Sequence, residues 1–453
     1  MTTGSSGSLQ AFTWVPQPGA AALMGSILAG FLEQTPAAAA LAKRMQEETG
    51  TRFADWVDTV TLGGSPALVR RLAEAGFVAE GVHLYHHPGG IFPRIVLREA
   101  EGEMVAVALL VDSVADFLAA QTPPREVAIE GEPWGSLRRA VIARTATTEL
   151  AVVERRGWPH AEASAAAARH GLRAVTHLET FRMRRRDFAY EPAGFAHAHE
   201  LIDAAIAELG RDETCALFFA AEREYWQRRN RAAQVQKARQ DRLGLGWGNH
   251  DHHTYRSSRA SFVDLIALFE RLGCVCRERF YAGREAGWGA QVMEQANAGI
   301  VIFADVDLAP EELAADFAHE PLGPREKLGT VGLWCGLHGE AFLEAGMHHL
   351  ECRFDFEALR RQLESQQVMT MKPFTDLKYL RQAFTEGERW PVREEKLVRL
   401  LGAGLITAEQ AAQFRAHGAI GSHLENLQRD EGYKGFNQKG VSEIIAATDP
   451  RGA

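Results

Sequence analysis

An α+β fold is predicted, built from repeated β-α-β-β-β units in two lobes with a helical connector between them. Three observations predict it. The chain has 453 residues, about three domains' worth at roughly 150 residues each, so a single minimal fold is excluded. Hydrophobic residues make up 46% and charged residues 24%, the balance of a protein with sizeable cores. One grammar, a short strand, a helix, a glycine stop and further strands, recurs along the chain and signals internal duplication.

Residues 1–50 are read as a helical N-terminal segment. Its start, MTTGSSGSLQ, lacks the basic-then-apolar order of a secretory signal, and an Ala/Leu-rich helix then runs from about 24 to 48, ending near Gly50. Residues 51–190 are expected to form an N-terminal pair of units. The first has a strand at 57–62, a helix opened by Ser65-Pro66 and stopped by Gly76, and return strands at 77–84, 91–97 and 104–111. In the second, a strand at 149–153 leads to an Ala-rich helix at 161–170, a stop at Gly171 and a strand at 172–181. Asp58 stands where a ligand would in this lobe and His86-His87 fall in a turn, so the pair is expected to bind no metal.

Residues 191–245 read as the connector, with the charged run from 223 to 242 as a solvated helix face. Residues 246–453 hold the second pair. Its first unit has a strand at 253–256, a helix from Ser261 and a stop at Gly273. Its second has a strand at 349–354, a helix carrying Phe356, Leu359 and Leu363, and strands to about Trp390.

Fifty Lys+Arg against 59 Asp+Glu give a net charge of −9, which argues against nucleic acid as a partner. The longest apolar stretches, 104–111 and 299–303, fall far short of the roughly 20 residues that cross a bilayer, so no membrane partner is expected. Five cysteines without a CxxC pair fit reduced thiols and a cytoplasmic location. Cys274 and Cys276 read as alternating strand residues rather than metal ligands.

The densest titratable cluster is Asn249-His-Asp-His-His-Thr-Tyr-Arg256. Alternation on a strand puts His250 and His252 on one side and His253 on the other. A second pair, His348-His349, holds the equivalent place in the fourth unit, and each pair is followed by an arginine, Arg256 or Arg353. If the two units pack about a pseudo-twofold axis, their first strands meet, and one histidine from each can share an ion with a carboxylate from a last strand. That ligand set suits Fe(II). Glu386 and Glu388 are the acidic residues late in the expected final strand and have the same parity, so both stay open. His417 and His423 are expected in exposed loops.

These residues resemble a known group. The repeats look like the vicinal oxygen chelate superfamily, and residues 245 to 450 look like its 2-oxoadipate dioxygenase/decarboxylase family. The family's histidine followed four residues later by arginine is matched by His252 and Arg256. His-Leu-Thr-Pro-Arg is matched by His349-Leu-Glu-Cys-Arg353, where Glu351 and Cys352 replace Thr-Pro. Leu380-Arg-Gln-Ala-Phe384 with a nearby glutamate matches a third motif, and Leu424-Glu-Asn-Leu-Gln-Arg429 and Phe436-Asn-Gln-Lys-Gly440 match two more in the same order.

The resemblance implies Fe(II) held by His252, His349 and Glu388, with Glu386 as the alternative carboxylate. It implies O2 and a 2-oxo acid as small-molecule partners, with conversion to a 2-hydroxy acid and loss of CO2. The substrate's second carboxylate calls for a guanidinium, which accepts it bidentately. Arg256 is the expected binding and catalytic residue, with Arg353 and Lys439 as further substrate contacts. Other reactions of the superfamily, isomerisation or ring cleavage, and ligand binding without catalysis remain as alternatives. A homodimer is the expected assembly if the N-terminal lobe mediates one.

Overall fold

The structure, a computed structural model, describes residues 13–99, 104–159, 171–375, 377–437 and 448–451. The polar leader, the Ala-rich stretch at 161–170 and Lys439 lie outside them. Helices α1 (Pro18–Gln34) and α2 (Pro36–Arg44) each begin with proline, whose fixed φ and missing N–H suit a first helical turn.

The first sheet is formed by β1 (Val57–Gly63), β2 (Val78–Glu80), β3 (Leu84–His86), β4 (Arg94–Arg98), β5 (Val105–Leu110), β6 (Leu137–Arg144) and β7 (Thr148–Arg155), in the order β2-β3-β4-β1-β5-β7-β6. Helix α3 (Pro66–Glu74) follows β1 and α4 (Val114–Gln121) follows β5. The Ser65 and Ser113 hydroxyls cap them by accepting the N–H groups of Leu68 and Asp116. β1 and β5 are antiparallel neighbours, so the first strands of two units meet at the sheet's middle.

The second unit therefore begins at β5. The strand expected to open it, 149–153, lies within β7 and closes it. Residues 172–181, expected as a strand, belong instead to helix α5 (Gly171–Met183), where Ala174, Leu178 and Phe181 recur at helical spacing and are buried.

Helices α6 (Glu191–Leu209), α7 (Arg211–Gln227) and α8 (Arg231–Asp241) continue the helical layer. α7 is a core element: Leu217, Phe218, Phe219 and Trp226 are fully enclosed. The charged run that begins in it is not uniformly solvated, since Gln236, Arg239 and Gln240 are buried within it, and so is the residue just before it. Buried Glu222 pairs with Arg184 and Arg186 and accepts the Tyr255 hydroxyl at 3.2 Å, which is how buried charge is tolerated.

The second sheet has eight strands. In chain order, β8 (His250–Arg256) is followed by α9 (Phe262–Arg271), β9 (Val275–Tyr281), β10 (Trp288–Gln295), β11 (Ile300–Asp307) and α10 (Thr330–His338). Next come β12 (His349–Arg353), α11 (Phe356–Glu364), β13 (Leu380–Phe384) and β14 (Glu388–Trp390). Last are α12 (Glu394–Gly402), α13 (Ala408–His417) and β15 (Ala419–Arg429). The order is β13-β15-β12-β8-β11-β10-β9, with β14 also paired to β15. β8 and β12 are antiparallel at the centre, flanked by parallel partners β11 and β15.

The fourth unit does not end near Trp390. A helical pair, α12 and α13, intervenes, and Leu397, Leu400 and Phe414 pack with Leu333 and Leu337 of α10 as a separate small core. The closing strand is β15, which begins near residue 419. Among the described residues no helix is long and apolar enough to cross a membrane.

Candidate metal centre

The central strands bring four chelating side chains together by register. His252 of β8 pairs with Glu351 of β12, and Glu351 pairs with Glu425 of β15. His349 stands two residues before Glu351 and so shares its face.

A β-bulge between His250 and His252 inserts Asp251 without a cross-strand partner of its own. It reverses the expected parity. His250 turns away from His252 and packs against His253, ring centroids 5.3 Å apart, while Asp251 stays beside His252.

His252 Nε2 lies 2.8 Å and His349 Nε2 2.6 Å from the same oxygen, Glu351 Oε1. Glu425 Oε2 is 4.0 Å from His349 Nε2. The ligand atoms of His252, Glu351 and Glu425 lie within 4.8 Å of one another, all buried.

The supporting contacts orient these groups. Asp251 Oδ1 lies 2.9 Å from His252 Nδ1, and Arg429 donates to both Asp251 oxygens at 2.9 and 3.0 Å. Imidazole that donates Nδ1–H to a carboxylate presents its Nε2 lone pair inward, the arrangement of a metal ligand with its outer carboxylate. Gln382 donates to Glu425 at 2.9 Å and Thr254 to Glu351 at 3.3 Å. Phe436 packs edge-on against His252, centroids 5.0 Å apart, and covers it.

Burial dominates the charge states. It pushes His252 down to about 4 and His349 well below the usual imidazole range. It raises Glu351, which the neighbouring Glu425 further disfavours as an anion, and it raises Glu425 against the hydrogen bonds from Glu351 and Gln382. Burial acts on Asp251 as well, but Arg429 and His252 outweigh it and hold that carboxyl below the ordinary range.

Two neutral imidazoles facing two carboxyls that cannot both ionise in a dry site form a donor set that a divalent cation completes, replacing protons. Glu351 Oε2 and His349 Nδ1 are buried without a hydrogen-bond partner. The residues fit Fe(II), with His252, His349 and Glu425 as ligands and Glu351 as an adjacent fourth oxygen donor.

Glu388, the expected carboxylate, is not brought to this cluster. It sits on β14, opposite Ser422, and its carboxylate accepts the Arg231 backbone N–H at 3.0 Å. Glu386 is exposed. The expected final strand was placed before the α12–α13 insertion, and the carboxylate that the closing strand brings to the cluster is Glu425.

Arg256 is buried, with Nε and Nη1 lacking partners. Its nearest acid is Asp305, 3.9 Å away, which burial pushes up to about 8. Arg256 stands four residues after His252 on β8 and so shares its face of the sheet.

Arg353 is not brought to the cluster. It lines a separate cleft of about 1100 Å³ between the lobes, whose walls include none of His252, His349, Glu351 or Glu425.

Sequence reasoning placed His423 in a loop. It is buried on β15 opposite His349, its ring 4.8 Å from His348 and 6.0 Å from His349, and both its nitrogens lack partners. The run from Ala419 to Arg429 has no regular apolar alternation and so carries no strand signal. Another grouping, Glu270, Cys276 and His319, is exposed; its histidine bonds to Asp316 and Glu270 at 2.7 and 3.0 Å. In the first sheet, Asp58 is taken up by Arg155 at 2.8 and 2.7 Å.

No family model matches the chain, and no curated protein matches it in sequence. Among solved structures, hydroxyglutarate synthase from Oryza sativa, in complex with 2-oxoadipate, aligns with 52% of this chain and 93% of its own at 13% identity and a TM-score of 0.33. A glyoxalase superfamily protein from Ralstonia eutropha aligns with 57% and 92% at 13% identity and 0.31. A variant of 4-hydroxymandelate synthase from Streptomyces coelicolor aligns with 87% and 97% at 12% identity and 0.27. At these identities and overlaps, function is argued from the side chains.

Proposed function

We propose that the chain is an Fe(II)-dependent dioxygenase/decarboxylase acting in the cytoplasm on a dicarboxylic 2-oxo acid of the 2-oxoadipate class. The balance is one 2-oxo acid and one O2 to one CO2 and a 2-hydroxy acid one carbon shorter. The observation that supports this reading is that His252 and His349 both lie within 2.8 Å of Glu351 Oε1 while Glu425 stands 4.0 Å from His349 and within 4.8 Å of His252, all buried, with Arg256 four residues after His252 on the same strand.

Bound Fe(II) would supply a Lewis-acidic centre that chelates the 2-oxo acid and reacts with O2. The chain's own residues do the rest. Asp251 and Arg429 hold His252 in one tautomer. Phe303, Phe384 and Phe436 ring the centre and keep water out. The unpartnered nitrogens of Arg256 are matched to the substrate's second carboxylate.

A specific observation favours a second reading. With Glu351 as a ligand, four protein donors leave two of six positions, enough for a chelating substrate but not for O2 as well. That count suits metal-dependent isomerisation. The dioxygenase reading requires Glu351 Oε1, which lies against both imidazoles, to give up that position to the ion.

The test is anaerobic Fe(II) loading followed by O2-uptake measurements across a panel of 2-oxo acids. Uptake with dicarboxylic members and stoichiometric CO2 release are expected. Iron-loaded protein that consumes no O2 with any of them removes the dioxygenase reading.

A further inference from the structure

The interlobe cleft holds many charged side chains, and most are already neutralised. Arg52 pairs with Asp55 and Asp430, Arg155 with Asp58, Arg182 with Glu224, and Arg429 with Asp251. Two arginines at its base differ. Arg223 of α7 and Arg353 at the end of β12 have no carboxylate within ion-pair distance among the described residues, although both line the cleft.

Arg223 donates one N–H to His253 Nε2 at 3.2 Å, and that ring's Nδ1 turns to the Val301 carbonyl at 3.3 Å. His253 is thus a neutral acceptor and offers the guanidinium no charge. Arg353 Nε is buried with no hydrogen-bond partner.

His250 lines the same cleft, and its buried Nδ1 also lacks a partner. The acid whose charge most favours Arg223 is Asp112, but its carboxylate accepts the Trp247 N–H at 2.7 Å and lies 3.9 Å from Lys237. Two unpaired guanidiniums that line one partly desolvated recess are costly unless an anion joins them.

We propose that Arg223, Arg353 and His250 form a binding site for a small oxyanion, the carboxylate or phosphate group of a metabolite, at the base of the cleft. The forked guanidiniums match the two oxygens of such a group. The bulge turns the His250 ring away from His252, and the cleft walls include none of His252, His349, Glu351 or Glu425, so the two sites are distinct. The inference stands on the cleft alone and does not need the proposed reaction.

The test is calorimetric titration of the metal-loaded full chain at low ionic strength with two probes. One is glutarate, a dicarboxylate without the keto oxygen that chelates a metal, and the other is inorganic phosphate. One site per chain is expected for at least one probe, and which probe binds identifies the head group.

Arg353→Gln should weaken that binding at least tenfold, and Arg353→Lys, which keeps charge without the fork, should weaken it less. Arg256→Gln, at a residue that does not line the cleft, should leave it unchanged. Circular dichroism and metal content confirm that each variant is folded. Absence of binding by both probes, binding that survives Arg353→Gln, or binding lost only with Arg256→Gln would overturn the proposal.

Discussion

Glu351 faces His252 across the antiparallel pair β8–β12, and its Oε1 lies 2.8 Å from that imidazole's Nε2 and 2.6 Å from His349 Nε2. One carboxyl thus spans two histidines that are 97 positions apart in the chain. The meeting follows from strand register, since the first strands of duplicated units pair at the centre of the sheet. Glu425 reaches the same point because β15 runs parallel to β12 in register.

Asp251 should control metal affinity without being a ligand. Its bond to His252 Nδ1 fixes the tautomer that turns Nε2 inward, and Arg429 fixes Asp251. Asp251→Asn is expected to keep one metal per chain at saturation but to lower affinity by about 10–100-fold. Competition with a chromophoric chelator measures it, and an unchanged affinity would remove the positioning role.

Arg256 should govern substrate choice. Loss of a charge-assisted pair costs about 1.5–3 kcal/mol, so Arg256→Gln is expected to raise KM for a dicarboxylic 2-oxo acid by about 10–100-fold. A monocarboxylic 2-oxo acid of similar length should be little affected. Steady-state kinetics with the two substrates provide the comparison.

Glu340 gives a pH signature away from the metal. Burial, reinforced by Glu191, pushes its carboxyl up to about 7 against the bonds from Ser257 and Ser258. Between the unfolded value of about 4.5 and 7 the folded chain binds the extra proton. The associated stability is therefore full below pH 4.5, declines as pH rises through 7 and is flat above, a change of about 2–3 kcal/mol. Denaturation of the wild type and Glu340→Gln at several pH values should show the wild type losing ground from pH 5 to pH 8. A constant difference would show that Glu340 is not buried as a neutral acid.

The sequence made the first strands of the C-terminal units legible because each carries chemistry and is followed by a helix with a clear apolar face. The two histidine clusters and the arginines after them were singled out on that basis, and the family resemblance chose His252, His349 and Arg256 among them. The bulge at Asp251 was hidden, since one inserted residue changes facing without changing the alternating pattern. Glu425 was missed as a ligand because the α12–α13 pair separates the closing strand from its unit, and the chain offered two nearer glutamates. Residues 172–181 follow a glycine stop and so imitated a strand, although Ala174, Leu178 and Phe181 have helical spacing. His423 was invisible for a related reason: the strand that buries it lies beyond the expected end of the unit.

The central claim is that His252, His349 and Glu425 hold one divalent ion. The most direct measurement is the metal-to-protein ratio after anaerobic Fe(II) loading and desalting, compared for the wild type, Glu425→Ala and Glu388→Ala. The account predicts a ratio near one for the wild type and Glu388→Ala and near zero for Glu425→Ala. Retention of iron by Glu425→Ala together with its loss from Glu388→Ala would contradict it.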